Sequence, residues 1–505
     1  MFKTGFFRFL LRYAGFVLFA ITSFLVLSSC HTESSKVPDK PNILWIVADD
    51  LGTDLGCYGN DVVSTPNLDN LAAQGVKYEH FYTVTAVCSP SRSTMITGMY
   101  PTSIHCQNHR THFKKPLPDG VVPITYLFRK AGYFTCNGNF RDKNRPGKQD
   151  YNFKADSIYD GTDWSQRQPG QPFFAQIQIH YPHRAFSHDT LRPIDPEKVK
   201  IPPYYPDHRI TRQDWALYLE TIQILDRTVE KILIRLDEEG LAKSTVVFFF
   251  GDQGRPMLRA KQFMYDPGIH TPLIIRYPDG KMKGTVENKL VSNVDLAAAS
   301  LALAGIPIPE YMQGIDFLAP NVPQRTYVYC MRDRRDETVD RIRAVRTNNF
   351  KYIRNFYPEK PYTQFNTYKK QAYPVLTLMQ ALHRKGELTS AQDQFMSDTK
   401  PPEELYDLTK DPYEIHNLYK DNAYADTLQQ LRTLMDTVLA KYDKGIYPED
   451  VREIEYAEKL AAKRYKQLMK HRGLGENPTD EQILKWWEDY FTKLTGKNLK
   501  TNNVK

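Results

Sequence analysis

Short apolar runs alternate with stretches of helical periodicity along most of the chain. Residues 42–50, 172–180, 244–254 and 272–278 each contain such a run and are typical of buried strands. Residues 211–240 repeat apolar side chains at helical spacing. Because strands and helices alternate, the pattern predicts an α/β fold with a large mixed, mainly parallel sheet sandwiched by helices.

Two predicted helices have clear ends. Residues 64–75 form a capped helix with Gly75 just past its end, and Gly240 ends the long helix of residues 211–240. One face of the long helix is apolar, and we interpret it as core and not as a binding site. Its members are Trp215, Leu219, Ile222, Leu225, Val229, Ile232 and Leu236.

The pattern changes after about residue 320. Residues 341–356 predict a two-stranded hairpin that turns at Asn348-Asn349, residues 403–418 are polar and turn-rich, and residues 423–442 predict a helix. Residues 446–505 form a charged helical extension, whose predicted role is packing or oligomer contact. The predicted organisation is a main domain over residues 41–320, a smaller α+β domain over 321–445, and this extension.

The N-terminus predicts export. Lys3, Arg8 and Arg12 precede an apolar run over residues 14–27, which is too short for a comfortable membrane span. Leu27-Ser28-Ser29-Cys30 then resembles a bacterial lipobox, with residues 31–40 as a linker. We therefore predict a periplasmic or cell-surface lipoprotein of a bacterium that touches the membrane only through a lipid on Cys30. Simple cleavage to a soluble protein is the alternative.

Composition and charge narrow the classes of partner. The formal net charge of +8 over 505 residues mildly favours anionic partners. Lys and Arg nowhere cluster densely enough to indicate nucleic-acid binding. Six cysteines do not make a disulfide framework in a chain of this length, and their pairing stays open.

Residues 88–92, CSPSR, are the sharpest chemical feature. This combination of Cys, Pro, Ser and Arg should arise by chance in well below ~1% of such chains. Pro90 is suited to the first position of a helix, and the free amides of a helix N-terminus favour an anion. Arg92, one turn further, can neutralise and orient a nucleophile at Cys88.

Carboxylates follow two of the predicted strands. Asp49-Asp50 and Asp252-Gln253 stand where apolar runs stop, which places them at one edge of the sheet. Hard cations take several oxygen ligands in proteins. Either pair alone would more often belong to a loop or a helix cap, but together they predict a cation site.

The CSPSR segment followed by Thr97-Gly98 resembles the signature of the sulfatase family, in the alkaline-phosphatase superfamily. The resemblance implies an alkaline-phosphatase-like fold and oxidation of Cys88 to formylglycine (3-oxoalanine) by a maturation enzyme. The hydrated aldehyde attacks sulfur with one hydroxyl, and the other hydroxyl later expels sulfate. The late segment of residues 403–418 also matches the family.

The same resemblance implies a calcium ion, with magnesium as the alternative. Its ligands would be Asp49, Asp50, Asp252, Gln253 and the modified Cys88. The family usually has Asn or His where this chain has Gln253, so the carbonyl oxygen lies one methylene further out.

The implied catalytic set is Cys88, Arg92, Lys148, His183 and Lys261. His183 lies in the segment HYPHR, which is similar to the family's H-x-P-H, and Lys261 keeps the family's spacing to Asp266. Lys148 follows Gly147 as in the family's G-K-x-H, but Asp150 replaces the histidine, so the leaving-group acid is left open. The predicted substrate-binding residues are His105, His109, Arg110, Arg184 and Arg259. His180 is predicted to pack at a strand end.

The predicted activity is hydrolysis of sulfate ester or sulfamate groups of sulfated carbohydrates such as glycosaminoglycans. The HYPHR and DPG segments are similar to heparan N-sulfatase sequences, a weaker match than the family itself. Two alternatives stay open. One is a phosphoester or phosphonate hydrolase of the same superfamily, and the other is a non-catalytic surface lipoprotein that binds sulfated glycans.

Overall fold

A computed structural model describes residues 40–444 and 450–496. The predicted export signal, the lipobox at Cys30 and all but the last residue of the linker lie outside these residues. No helix in the described ranges is long and apolar enough to cross a membrane.

An eight-stranded sheet forms the centre of the main domain. From one edge to the other its order is β10-β2-β9-β8-β1-β7-β4-β5, and only β9 and β5 run against the rest. The predicted mixed, mainly parallel sheet is thus confirmed. Its strands are β1 (Asn42–Ala48), β2 (Val76–Tyr82), β4 (Phe134–Asn139), β5 (Asp142–Pro146), β7 (Phe173–Ile179), β8 (Thr245–Gly251), β9 (Leu273–Arg276) and β10 (Thr285–Ser292). A separate pair joins β3 (Lys115–Pro116) to β6 (Phe153–Lys154).

The middle of the sheet is covered on both faces. Every residue of β1, β7 and β8 is buried, because β1 lies between the other two strands and helices cover both sides. On one face Trp45 meets Phe174 and Phe250 edge to face, at ring-centroid distances of 5.1 and 5.5 Å. Such continuous apolar strands are typical of a parallel sheet with both faces covered.

Helices of the main domain divide between the two faces. The face of Leu44 and Ile46 packs against α1 and α4, and the face of Trp45 and Val47 packs against α2, α3 and α6. All seven apolar residues predicted for the long helix are buried, so its interpretation as core is confirmed. The helices are α1 (Pro66–Gln74), α2 (Cys88–Thr97), α3 (Ile124–Lys130), α4 (Arg209–Glu238), α5 (Asp266–Ile269) and α6 (Asp295–Leu303).

A second, antiparallel sheet forms the smaller domain. Its order is β11 (Val328–Arg332), β12 (Ile342–Arg346), β13 (Phe350–Asn355) and β14 (Glu403–Asp407). The predicted hairpin is β12–β13, and Val345 pairs with Tyr352 across it. The remaining helices are α7 (Thr367–Ala372), α8 (Pro374–Lys385), α9 (Ser390–Asp393) and α10 (Ala425–Tyr442), the last of which packs on this sheet.

Two helices make up the described part of the C-terminal extension. In α12 (Asp480–Thr495), the side chains of Ile483, Trp487 and Phe491 join the core beside α8. Helix α11 (Val451–His471) packs along α7 and is largely exposed on its other side. Among the described cysteines, Cys57, Cys88, Cys106, Cys136 and Cys330 are all free thiols.

Candidate active site

The predicted site residues converge at the carboxyl ends of the central strands. Asp49 and Asp50 follow β1, His180 follows β7 and Asp252 follows β8, so three adjacent parallel strands deliver them to one edge. Asp50 has a positive φ of 67°, a strained conformation for a residue with a side chain. Its N–H donates to Asp252 Oδ1 at 2.9 Å, which helps to hold this conformation.

Cys88 is the first residue of α2 and is 1% exposed. The helix therefore begins two residues earlier than expected, and Pro90 occupies its third position and not its first. Gly98 ends the helix with a φ of +65°, and a Cβ there would lie 2.6 Å from Met312. The Thr97-Gly98 pair of the signature is thus explained by a left-handed helix end in a crowded core.

Oxygen-bearing side chains surround the Cys88 thiol. Its Sγ lies 3.6 Å from Asp49 Oδ1 and 4.0 Å from Asp50 Oδ1. Gln253 Nε2 lies 3.1 Å from the same sulfur and also donates to Asp50. The ligand atoms of Asp49, Asp50 and Cys88 all lie within 4.8 Å of one another. We call Asp49, Asp50, Cys88, Asp252, Gln253 and Lys261 the floor of the site.

The floor has the donor set that a hard cation requires. Within the described residues, the buried Oε1 of Gln253 has no hydrogen-bond partner, and rotating the amide would turn this oxygen toward Asp50. Burial raises the pKa of Asp252 to about 7, and the neighbouring carboxylates Asp49 and Asp50 add to the rise against the charge of Arg92. A cation would satisfy the amide oxygen and relieve the crowding of carboxylates, so the residues present fit calcium or magnesium.

Two lysines neutralise the aspartates. Lys148 Nζ lies 2.9 and 2.8 Å from the two carboxylate oxygens of Asp49, and Lys261 Nζ lies 2.7 Å from Asp50 Oδ1. Burial acts to raise the pKa of Asp49, but Lys148, His183, His180 and Arg92 together outweigh it and hold that pKa well below its usual range. Lys261 Nζ is also 3.8 Å from Cys88 Sγ. Lys148 reaches the same cluster through Asp49, whose Oδ1 lies 3.6 Å from that sulfur.

Arg92 lies one turn along α2 and is buried. Its Nε donates to Asp252 Oδ2 at 2.8 Å and its Nη1 to Gln178 Oε1 at 2.6 Å. Its Nη2 is 3.6 Å from Asp49 Oδ1. Arg92 therefore ties α2 to the ends of β1, β7 and β8 at once.

Two histidines of the HYPHR segment face the aspartates. His183 Nε2 lies 3.8 Å from Asp50 Oδ2 and 3.5 Å from the Tyr368 hydroxyl. Burial, with a contribution from Lys261, lowers the pKa of His183 to about 4. His180 was expected to pack, but its side chain is 53% exposed and its Nδ1 lies 3.6 Å from Asp49. The strand ends directly before His180, which leaves its ring at the open edge of the sheet.

His109 also reaches the nucleophile position. A ring nitrogen of His109, a carboxylate oxygen of Asp150 and Cys88 Sγ lie within 4.8 Å of one another. His109 Nδ1 lies 3.2 Å from Asp336 Oδ1, while its buried Nε2 has no hydrogen-bond partner among the described residues. Asp150 stands where the family has a histidine. In space, His109 from the loop after α2 lies beside Asp150.

The other predicted substrate-binding residues divide. Arg110 lines the cavity above Cys88 and pairs with Asp150 through two nitrogens at 3.1 Å. Arg184 and Arg259 do not line this cavity, which corrects their predicted role. Arg184 is buried against α4, where it pairs with Asp214 at 2.7 Å. Arg259 is buried and donates to the backbone carbonyls of Tyr413 and Glu414. His105 lies outside the cavity lining as well.

A cavity of about 600 Å³ opens above the floor. Several of its lining residues were not predicted from the sequence. Arg334, Arg335 and Asp336 come from the loop after β11, and Tyr368 comes from α7. The charge-rich run of residues 332–337 directly after an apolar strand was the one available signal. Helix α11 lines one side with a set of residues that no local pattern indicated: Glu453, Tyr456, Ala457, Leu460, Ala461 and Arg464.

Comparisons with known proteins identify the family of this chain. The sulfatase family model matches residues 41–306, and the model described as N-sulphoglucosamine sulphohydrolase, C-terminal, matches residues 256–399. A protein of Formosa agariphila named ulvan-active sulfatase is 33% identical in an alignment of 484 residues that covers 83% of this chain and 80% of that protein. Human N-sulphoglucosamine sulphohydrolase is 27% identical in an alignment of 332 residues that covers 57% of this chain and 64% of that protein.

Solved structures show the same fold. A 2-O GAG sulfatase superimposes with a TM-score of 0.59 at 20% identity, covering 82% of this chain and 96% of that one. The chain belongs to the sulfatase family. It is a sulfuric ester hydrolase with an alkaline-phosphatase-like fold, so the predicted family, fold class and enzyme class are confirmed.

Proposed function

We propose that this enzyme removes sulfate from sulfated glycans through a formylglycine made from Cys88, with calcium bound in the floor. The observation that carries the proposal is the position of Cys88, buried at the helix N-terminus between two aspartates and two lysines at the base of a cavity. The names of the relatives, one active on ulvan and one on N-sulphoglucosamine, support a glycan substrate.

The environment of Cys88 favours conversion over direct thiolate chemistry. Burial raises the pKa of the Cys88 thiol, and the nearby Lys148 and Lys261 do not offset it. A thiol of raised pKa is a poor nucleophile near neutral pH. Once oxidised by a maturation enzyme, the residue would supply a hydrated aldehyde whose hydroxyl attacks the sulfur of the ester.

The cation would be held by Asp49, Asp50, Asp252 and the carbonyl oxygen of Gln253. When bound, it would supply a fixed positive charge that lowers the pKa of a nucleophile hydroxyl and stabilises negative charge on the sulfuryl group. Magnesium is the alternative to calcium, because both cations take carboxylate and carbonyl oxygens.

The basic side chains around the floor would hold the sulfate. Lys148 and Lys261 lie on either side of the nucleophile position, where their ammonium groups can stabilise charge on the sulfate oxygens. Arg92 orients α2 and Asp252, and His183 faces the cavity where the leaving oxygen would lie. Preorganised charges of this kind are usually the largest single contribution to such catalysis.

His109 is suited to accept a proton beside the nucleophile. The Asp336 carboxylate can only accept a hydrogen bond from Nδ1–H, so Nε2, which has no hydrogen-bond partner among the described residues, keeps its lone pair. A ring nitrogen of His109 lies within 4.8 Å of Cys88 Sγ and of a carboxylate oxygen of Asp150. We therefore assign His109, and not Asp150, to proton transfer at the nucleophile hydroxyls. Arg110 would contact the sugar, as predicted from its position after α2.

We also propose export, with a lipid anchor at Cys30. The basic residues, the short apolar run and Leu27-Ser28-Ser29-Cys30 support this proposal. A periplasmic or cell-surface location would bring the enzyme to large glycans outside the cytoplasm.

The test is sulfate release by protein co-expressed with a formylglycine-generating enzyme. We expect hydrolysis of 4-nitrophenyl sulfate and of defined sulfated saccharides. Hydrolysis of 4-nitrophenyl phosphate and of phenylphosphonate esters should be slower. Cys88→Ala should reduce turnover by about 10⁴-fold or more, as loss of a nucleophile does elsewhere. The mass of the peptide that contains Cys88 reports its conversion in the same preparation.

Three results would overturn the proposal. Faster phosphate or phosphonate turnover would favour the related hydrolase. An unmodified Cys88 thiol without turnover, in a host that matures other sulfatases, would favour a glycan-binding protein. Full activity of Cys88→Ala would exclude the mechanism.

A further inference from the structure

The C-terminal extension contributes directly to the cavity above the nucleophile. Helix α11 and the loop after β11 both line it, together with Cys88 and Lys261 of the floor. Residues 451–471 lie outside both family-model matches, which end at residues 306 and 399. We call Arg110, His112, Arg335, Tyr456 and Arg464 the outer wall of the cavity.

Helix α11 is fixed in this position at two points. At its start, the buried carboxylate of Glu453 accepts hydrogen bonds from the backbone N–H groups of His112 and Phe113. Near its middle, the carbonyl of Ala461 accepts from the Thr367 hydroxyl at 3.2 Å. The helix is therefore built into the cavity and does not merely cover it.

The outer wall contains a buried arginine, Arg335, whose hydrogen-bond donors are only partly used by protein groups. Arg335 is 3% exposed and lines the cavity together with Cys88 and Lys261. Among the described residues, its Nε and Nη1 have no hydrogen-bond partner, and its one ion pair is a loose contact with Asp336 at 3.5 Å. Unsatisfied buried donors are costly, so this guanidinium is preorganised for a ligand anion.

The charges of the side chains that line the cavity also favour an anionic ligand. Six basic side chains line the cavity against four acidic ones, and Lys261 already pairs with Asp50 below it. Arg464 is exposed on α11 and lines the mouth. Under the proposed function the scissile sulfate binds at the floor. The positive charges of Arg335 and Arg464 then remain available to a second anionic group of the substrate.

Two aromatic rings lie at the same mouth. His112 and Tyr456 are stacked at a centroid distance of 4.4 Å and an interplanar angle of 22°, and both side chains are exposed and line the cavity. Such rings offer a rigid apolar surface at low entropic cost. The apolar face of a sugar ring could rest there.

We propose that the outer wall is a subsite for a second anionic group of the glycan, carried by the sugar next to the scissile sulfate. This inference rests on the proposed sulfatase function and names its substrate class as polyanionic glycans. A uronic-acid carboxylate and a second sulfate share the required chemistry, and Arg335 can bind either through its two-pronged guanidinium.

The test compares three matched substrates. The first is a sulfated disaccharide with a uronic acid, and the second is the same compound with its carboxyl reduced to an alcohol. The third is a disaccharide without a uronic acid that carries a second sulfate. The wild-type enzyme should prefer at least one anionic compound over the reduced one by about tenfold in kcat/KM. The anion that confers the preference identifies the source.

The variants are Arg335→Gln and Arg464→Gln. The first should abolish the preference, and the second should reduce it about two- to fivefold, as expected for an exposed charge. Lys463→Gln removes the same charge from an exposed neighbouring position outside the cavity lining and should leave the preference unchanged. If a thermal unfolding curve shows that Arg335→Gln is not folded, the variant Arg464→Gln at an exposed position still tests the anion subsite.

Sulfate release by the wild type, from 4-nitrophenyl sulfate or from any of the three saccharides, separates the two proposals. Without any sulfate release, the proposed function itself fails. With it, equal rates on all three saccharides, or a preference that both variants retain, would overturn the subsite.

Discussion

The floor and the outer wall belong to one candidate site but are built in different ways. The floor residues Asp49, Asp50, Cys88, Asp252, Gln253 and Lys261 are all nearly fully buried. They come from the ends of adjacent strands, the start of one helix and the loop after β8, and they bond to one another. The outer wall comes from three distant segments, and apart from Arg335 its side chains are exposed.

From this difference we expect the floor to determine the rate of the catalytic step and the outer wall to determine which glycan is preferred. Changes in the floor should affect every substrate alike, because each floor residue touches the nucleophile position or a neighbour of it. Changes in the outer wall should alter which glycan is preferred. Charged residues behind the floor, such as Arg184, belong to neither group and should affect stability.

The largest expected effect tests that last statement. Arg184→Met leaves Asp214 buried without its partner, so the free energy of unfolding should fall by about 3–5 kcal/mol. Urea unfolding measures this change. The exposed Arg192→Met should alter stability by about 0.5 kcal/mol or less. An Arg184 variant of unchanged stability but raised KM for glycans would restore its predicted role in substrate binding.

Lys148→Gln tests the sulfate-holding charges. It removes a cation from the nucleophile position, so kcat should fall by about 10²–10³-fold on small and large sulfate esters alike, as for loss of one stabilising donor. Steady-state kinetics on 4-nitrophenyl sulfate and a sulfated disaccharide measure it. Lys143→Gln, exposed on β5, is the matched control. A loss confined to the disaccharide would place Lys148 with the outer wall.

Cation binding tests the floor as a metal site. Because a ligand that binds only the folded state stabilises it, calcium at about one hundred times its Kd should add about 2.7 kcal/mol to protein stripped with a chelator. Differential scanning calorimetry would show the rise in Tm, and Gln253→Leu should need more calcium for the same shift. If neither calcium nor magnesium changes the Tm, the floor does not bind a hard cation.

The smallest expected effect sharpens the description of the outer wall. Tyr456→Ala removes the stacked ring at the cavity mouth, and we expect KM for sulfated disaccharides to rise about threefold while kcat stays unchanged, as for loss of a contact worth about 0.5–1 kcal/mol. Turnover of 4-nitrophenyl sulfate serves as the internal control. An equal change in kcat for both substrates would show that Tyr456 acts on the chemistry.

The predictions from sequence succeeded where a residue's position follows from one nearby element. Asp49, Asp50 and Asp252 were placed correctly because parallel strands end at a common edge. The Thr97-Gly98 pair and the hairpin at Asn348-Asn349 likewise follow from local backbone requirements. The start of α2 was misplaced by two residues because Pro90 is tolerated throughout the first turn, where no helical N–H bond is lost.

The predictions failed where a side chain chooses between partners that are distant in sequence. Arg184 follows His183 directly, yet it pairs with Asp214 of α4 while His183 faces the cavity. Arg259 is two residues before Lys261 and bonds to the carbonyls at 413 and 414. Neighbours in a loop point in different directions, and only the packed elements around them decide which partner each one meets.

The sequence by itself determined the fold class, the family signature at Cys88 and the acidic strand ends, because these depend on hydrophobic periodicity and on a short motif at one helix start. Only the tertiary structure decided that His109 lies beside Asp150, and that Arg335 and α11 line the same cavity as Cys88. The physical reason is that segments separated by tens to hundreds of residues meet only when the whole core is packed, and no local pattern records that meeting.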